Sequence, residues 1–273
     1  MEEKQVNIGG ASAAPKKPNY PGQEMQEEFI VPRDVVELPS LGKLYPNGQK
    51  TVEIKYLTAE DENILLSPDL IRAGKTLDVL LENCIVSDGI SPKEMLTGDR
   101  NKVLIDLRIN GYGNEYEVEV TDPETNLPFT AIVDLTKLKP KYLKVDPDEQ
   151  GEFTVVLPKF NVPVKFRLLN GEDEDILSKR LQTAQKKNKK GSSFYTAITE
   201  RYIRQIMEVN GNRGDKIYIS KFISAMPMSD SLFLREYINQ IEPGIDLNYE
   251  FESPSGEIFE ANVPITAKLF YPN

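Results

Sequence analysis

Apolar and polar residues alternate along this chain in two rhythms, and the change from one to the other recurs. Period-two alternation over Val52–Leu57 and Val162–Leu169 predicts half-buried strands, because successive strand side chains point to opposite faces. Each run leads into a residue suited to starting a helix, Thr58 or Asn170, with Asp61 or Asp173 three positions on, the spacing of a capping box. Leu77, Leu80, Leu81, Cys84 and Ile85 then fall at i, i+3, i+4, i+7 and i+8, one apolar stripe along a helix. Ile198, Tyr202, Ile206 and Val209 read as the same helical stripe a second time. Further helices are predicted near residues 99–110 and 229–242, the first stopped by Gly111-Tyr112-Gly113. Two hairpins close the pattern, 115–121 with 128–135 and 246–252 with 257–264, the second turning through Pro254-Ser255-Gly256-Glu257.

The recurrence is visible in the residues themselves. Residues 52–65 and 164–177 are identical at seven of fourteen aligned positions, and Lys55 is matched by Arg167. Leu38-Pro39 precedes the first copy and Leu157-Pro158 the second. Tyr116-Glu117-Val118-Glu119 leads to Pro123, and Tyr249-Glu250-Phe251-Glu252 to Pro254. Fourteen residues past each proline comes Lys-Leu, at Lys137-Leu138 and Lys268-Leu269. Matches at both ends, in one order, predict two tandem copies of a module, residues 35–146 and 150–273. The expected fold class is α+β, each module a helical cluster with small antiparallel strands and a hairpin. Residues 1–34 form a tail apart from them, in which Gly9-Gly10, Ala11-Ser12-Ala13-Ala14 and Pro15, Pro18, Pro21 and Pro32 break any periodicity. Such a segment buries too little apolar surface to offset its ordering entropy, so alone it is expected to be extended or disordered. Either a neighbouring chain or the tail's own domain is the surface expected to pin it.

Composition narrows the chemistry. The 273 residues include no histidine and a single cysteine, Cys84. That excludes His-based triads, His general bases, His or Cys-cluster metal sites and an internal disulfide. A formal charge of −10 sets the chain against phosphate backbones and anionic membranes. No apolar run reaches the ~18 residues of a membrane span. The acidic start Met1-Glu2-Glu3-Lys4 lacks a signal-peptide core, so synthesis in the cytoplasm is expected.

Two acidic clusters, Glu60-Asp61-Glu62 and Glu172-Asp173-Glu174-Asp175, are the first candidates for metal or acid–base chemistry. Their position in a first helical turn has a simpler cause, since carboxylates there satisfy free backbone N–H groups and complement the helix dipole. Adjacent helical residues also point about 100° apart and rarely converge on one ion. A carboxylate-dependent enzyme would need the two clusters to face one another across a pocket. Asp146-Pro147-Asp148-Glu149-Gln150-Gly151-Glu152 lacks the full ligand pattern of a calcium loop and reads as an acidic linker. Lys186-Lys187-Asn188-Lys189-Lys190, followed by Gly191-Ser192-Ser193, has no nearby aromatics for base stacking and reads as an exposed helix end and loop. Cys84 lies on the apolar stripe and is expected in the core.

Several fragments resemble a known family when taken together. They are Leu38-Pro39-Ser40-Leu41-Gly42-Lys43-Leu44-Tyr45-Pro46 and Leu57-Thr58-Ala59-Glu60-Asp61-Glu62, then Ser253-Pro254-Ser255-Gly256-Glu257, Val263-Pro264-Ile265 and Phe270-Tyr271-Pro272. The chain is similar in these to the T-even-type phage baseplate hub subunit and hub-assembly family, through short motifs scattered over most of residues 35–273. The resemblance implies a non-catalytic protein of a contractile tail's baseplate. It would contact other tail and baseplate proteins in several copies of a symmetric assembly, and be made in the host cytoplasm before joining the virion. An assembly chaperone that binds hub proteins and then leaves is the alternative. Some family members carry a Cys-Pro-x-Cys knuckle in the hairpin turn, whereas these turns read Asp122-Pro123-Glu124-Thr125 and Ser253-Pro254-Ser255-Gly256. No cofactor, metal, nucleic acid or membrane is therefore expected, and shape alone is expected to hold the hairpins. The residues expected to touch partners are Tyr20 and Pro21, the exposed-looking turn Tyr45-Pro46, and the C-terminal Phe270, Tyr271 and Pro272, which either anchor a partner or dock on their own domain.

Overall fold

The computed structural model describes residues 30–188 and 197–271. The chain opens with β1 (Arg33–Glu37) and β2 (Thr51–Lys55), then three short helices, α1 (Ala59–Leu65), α2 (Pro68–Ala73) and α3 (Thr76–Cys84). The long helix α4 (Thr97–Tyr112), the hairpin of β3 (Glu115–Thr121) and β4 (Pro128–Asp134), and the short β5 (Pro140–Lys141) complete the first half. The second half begins with β6 (Phe153–Val156), β7 (Pro163–Phe166), α5 (Gly171–Asn188), α6 (Ala197–Gln205), β8 (Ile206–Val209) and β9 (Asn212–Arg213). It ends with α7 (Lys216–Ala225), α8 (Met228–Ile241), β10 (Gly244–Ile245) and the hairpin of β11 (Asn248–Glu252) and β12 (Ile258–Asn262). The fold is α+β. Its sheets are small and antiparallel: β1–β2, β3–β4, β5–β10, β11–β12 and the four-stranded β6–β7–β8–β9.

Both halves use the same local devices. At the start of α1 the buried Asp61 carboxylate accepts the Thr58 N–H and hydroxyl, each at 2.8 Å, and Lys55 on β2 reaches it at 3.2 Å. At the start of α5 Asp173 accepts the Asn170 N–H at 3.2 Å, Asn170 Oδ1 accepts the Asp173 N–H at 3.0 Å, and Arg167 just beyond β7 pairs with Asp173 at 2.6 Å. Asp99 near the start of α4 and Asp230 near the start of α8 are both fully buried. Each accepts the backbone N–H that follows a Leu-Pro: Ser40 N–H to Asp99 at 2.9 Å, Lys159 N–H to Asp230 at 2.8 Å. Because a buried carboxylate without partners costs several kcal/mol, these bonds fix where each long helix begins.

One predicted element changes type. The stripe Leu77–Ile85 is α3 as expected, with Leu80, Leu81 and Cys84 fully buried. The stripe through Ile198, Tyr202, Ile206 and Val209 is helical only as far as Gln205, where α6 ends. Ile206 and Val209 belong to β8, which adds to β7 and turns back into β9 through Asn210 and Gly211, at φ +48° and +81°. Two successive left-handed residues close a tight hairpin, and no helix passes through them. In the first half the corresponding pairing is a single bridge, Ile54 to Ile85.

From Val31 onward the chain forms one compact unit with one apolar core. The halves interlock through backbone. β5 pairs with β10, Leu96 bridges Asn170, the Gly171 N–H donates to the Met95 carbonyl at 3.0 Å and the Glu172 N–H to the Lys93 carbonyl at 2.9 Å. Helix α4 lies so close to β10 that a Cβ at Gly98 would stand 1.7 Å from the Pro243 carbonyl oxygen, so only glycine fits there.

Candidate functional site

The acidic clusters act on the helix starts. Burial alone would raise the Asp61 and Asp173 carboxyls, but hydrogen bonds from Thr58 and Lys55, and from Arg167 and Asn170, hold both below the ordinary carboxylate range. A groove of about 630 Å³ between the halves is lined by Glu174 and Asp175 but by none of Glu60, Asp61 or Glu62. What faces Asp175 there is Asp78 of α3, pushed upward by burial and by its contact with Asp175, and tied to Arg100; Lys75 pairs with Asp175 at 2.8 Å. Asp148 shapes the loop before β6 by accepting the Gln150 and Glu152 N–H groups at 3.0 and 2.9 Å, and pairs with Lys165 at 3.2 Å. Glu152, 4 % exposed, is clasped by Arg213. Among the described residues no group of three His, Cys, Asp or Glu side chains is arranged to hold a metal. Cys84 is buried, and burial together with the nearby Asp61 pushes its thiol up to about 12. Of the basic run, Lys186 and Lys187 fall in the last turn of α5, and residues 189–193 lie outside the described residues.

The expected contact residues divide. Pro46 is exposed, but Tyr45 is not: only 9 % of it is accessible. Its hydroxyl donates to Asp99 Oδ2 at 2.6 Å and accepts the Leu96 N–H at 3.0 Å, which corrects the expected exposed aromatic turn. Phe270 is buried, and the Tyr271 hydroxyl donates to the Leu65 carbonyl, so these terminal aromatics dock on their own chain. Tyr20, Pro21 and Pro272 lie outside the described residues. Asp99 and Asp230 were not singled out from the sequence, although each follows a methionine by four positions, at Met95 and Met226. That shared spacing is the signal that marks them.

The outward elements are the two hairpins. In β3 the residues Tyr116, Val118 and Val120 point inward while Glu115, Glu117 and Glu119 point out. In the other hairpin Phe251 stacks on Phe259 at 5.8 Å, with Glu250, Glu252 and Glu260 outward. The hairpins meet through Phe129 and Phe259, edge to face at 6.3 Å, and Tyr249 Oη accepts the Asp134 N–H at 3.4 Å. Their tips are also joined. Asp122 accepts the Glu124 N–H at 2.9 Å and the Ser255 hydroxyl at 3.0 Å, while Ser255 and Ser253 lie 2.7 Å apart. Shape is thus supplemented by a hydrogen-bonded latch, a correction to the expectation that packing acts alone.

Two interlocked α+β halves carrying a joined pair of acidic hairpins define a protein whose ordered carboxylates serve its architecture. Residues 35–257 match the model of the T4 bacteriophage base plate protein family, and the chain belongs to that family. It is a phage baseplate protein. No curated protein and no solved structure matches the chain.

Proposed function

We propose that this baseplate protein is a non-catalytic structural subunit of the hub region, present in the finished tail and acting through contacts with other tail proteins. The family match over residues 35–257 carries the reading. Three features support it. Of the carboxylates that looked chemical from the sequence, Asp61, Asp173, Glu174 and Asp175 are engaged in caps and ion pairs. The latched hairpins present glutamate-lined outer faces, suited to basic surfaces on partners. The long helices of both halves are anchored by equivalent buried aspartates, which favours descent of residues 35–146 and 150–273 from one duplicated module. Pro46 and the proline-bearing tail with Tyr20 and Pro21 are the proposed contact segments of the named set, and repeated copies in a symmetric ring are the proposed arrangement. Phage in which this gene is silenced are expected to accumulate incomplete baseplates by electron microscopy, with assembly restored by supplying the chain. Normal tails without it would reject the role.

A further inference from the structure

Helix α7 carries two lysines and no acidic residue, in a chain whose net charge is −10. Its Phe222 ring lies 5.5 Å from the ring of Phe160, which the turn between β6 and β7 holds at the surface. That turn is pinned from beneath, because Asp230 accepts the Lys159 and Phe160 N–H groups, each at 2.8 Å. Tyr218 is exposed one helical turn before Phe222, and Ile217 beside it is 71 % exposed. Lys159 adjoins Phe160, and Lys221 stands three positions along the helix from Tyr218. Neither lysine has an acidic partner among the described residues. The nearest carboxylates are committed elsewhere, Asp230 to the turn and Asp215 to the Ile217 and Tyr218 N–H groups as the cap of α7. An apolar patch with a charged rim of one sign is the make-up of a protein contact.

The outer face of the β11–β12 hairpin has the reverse make-up. Glu250 and Glu260 stand directly opposite one another in the register, and Glu252 faces Ile258, which is 65 % exposed. Like charges in cross-strand register repel, and no cation pairs with any of these three glutamates among the described residues. The hairpin therefore lacks what the α7 face presents, and the α7 face lacks what the hairpin presents. They serve different neighbours within the chain, since the hairpin packs on the β3–β4 hairpin through Phe259 and Phe129, and α7 packs on α6 and β8.

We propose that the β11–β12 hairpin of one copy of this chain docks on the α7 face of the next copy, head to tail. Ile258 meets the surface of Phe160, Tyr218 and Phe222, and Lys159 and Lys221 supply the cations that Glu250 and Glu260 lack. Because the two surfaces differ, the contact is heterologous, and its repetition about a rotation axis closes a ring. The proposal deepens the reading of repeated copies in a symmetric assembly and rests on it. At ~0.15 M salt the Debye length is about 8 Å, so the mutual repulsion of two acidic chains is screened while charges in direct contact are not.

Analytical ultracentrifugation of the purified full chain at that salt tests the contact. The expected result is a mass that rises with concentration from monomer to oligomer. Lys159→Glu with Lys221→Glu, or Glu250→Lys with Glu260→Lys, should each weaken association by about tenfold or more. Mixing the two reversed proteins should restore it, because each then offers the surface that the other needs. All four positions are exposed, so both variants should keep the wild-type thermal midpoint; if one does not, Lys159→Gln with Lys221→Gln takes its place. A chain that stays monomeric as its concentration is raised overturns the contact and leaves an acidic surface of another protein as the occupant of the α7 face. Reversals that leave association unchanged, or a mixture that fails to restore it, overturn it as well. Any of these leaves the subunit role standing, since that role is decided by the copy number of the chain in finished tails.

Discussion

At Tyr45 one hydroxyl ties together the loop after β1, the approach to α4 and the first turn of α4 itself. Tyr45→Phe keeps the ring but leaves the Leu96 N–H and one oxygen of Asp99 unpaired in the core. The expected loss is about 2–4 kcal/mol, read as a lower urea midpoint with an unchanged slope. A near-neutral effect would mean water reaches this site. Tyr45 looked exposed in the sequence because Tyr-Pro-Asn-Gly is ordinary turn chemistry, and its acceptor lies 54 residues away. Glu242 makes the opposite contribution. Its carboxyl is ordinary near 4.5 when unfolded and raised when folded. The penalty for charging it is therefore absent below pH ~4.5 and complete above the folded value. Glu242→Gln is expected to raise Tm by a few degrees at pH 7 and to leave it unchanged at pH 4. Equal shifts at both pH values would show that packing, not charge, is responsible.

Elements with their own local grammar were legible: the capped starts of α1 and α5, the stripe of α3, the stop of α4 at Gly113 and the hairpins within two residues of their observed ends. Apolar spacing alone failed at β8, because Ile206 and Val209 suit a helix face and a strand equally, and the edge of β7 decided between them. The latch between hairpin tips was hidden for another reason. Asp122 and Ser255 are 133 positions apart, and nothing local links them. Asp122→Ala removes the acceptor for Glu124, Thr125 and Ser255 together. Amide exchange at Ser253, Gly256 and Glu257 is expected to quicken at least about tenfold, while exchange in α4 stays as it was. Unchanged exchange at the tips would leave the Phe129–Phe259 and Tyr249–Asp134 contacts to fasten the hairpins.

For the whole molecule, the local devices shared by the two halves were readable, and the way the halves join was not. Backbone pairing of β5 with β10 and the close approach of Gly98 to Pro243 depend on the path of the chain in space. With one core spanning residues 31–271, thermal unfolding is expected as a single calorimetric transition, and residues 150–273 alone are expected not to fold. Two separated transitions would mean the halves are autonomous. The central claim concerns the assembly: that other tail proteins hold this −10 chain with its latched acidic hairpins in the finished baseplate. Quantitative mass spectrometry of purified phage particles, scaled to a tail protein of known copy number, tests it most directly. A small fixed number of copies per particle is the predicted result. Absence from particles, with the chain abundant in infected cells, would contradict it and make the protein an assembly chaperone.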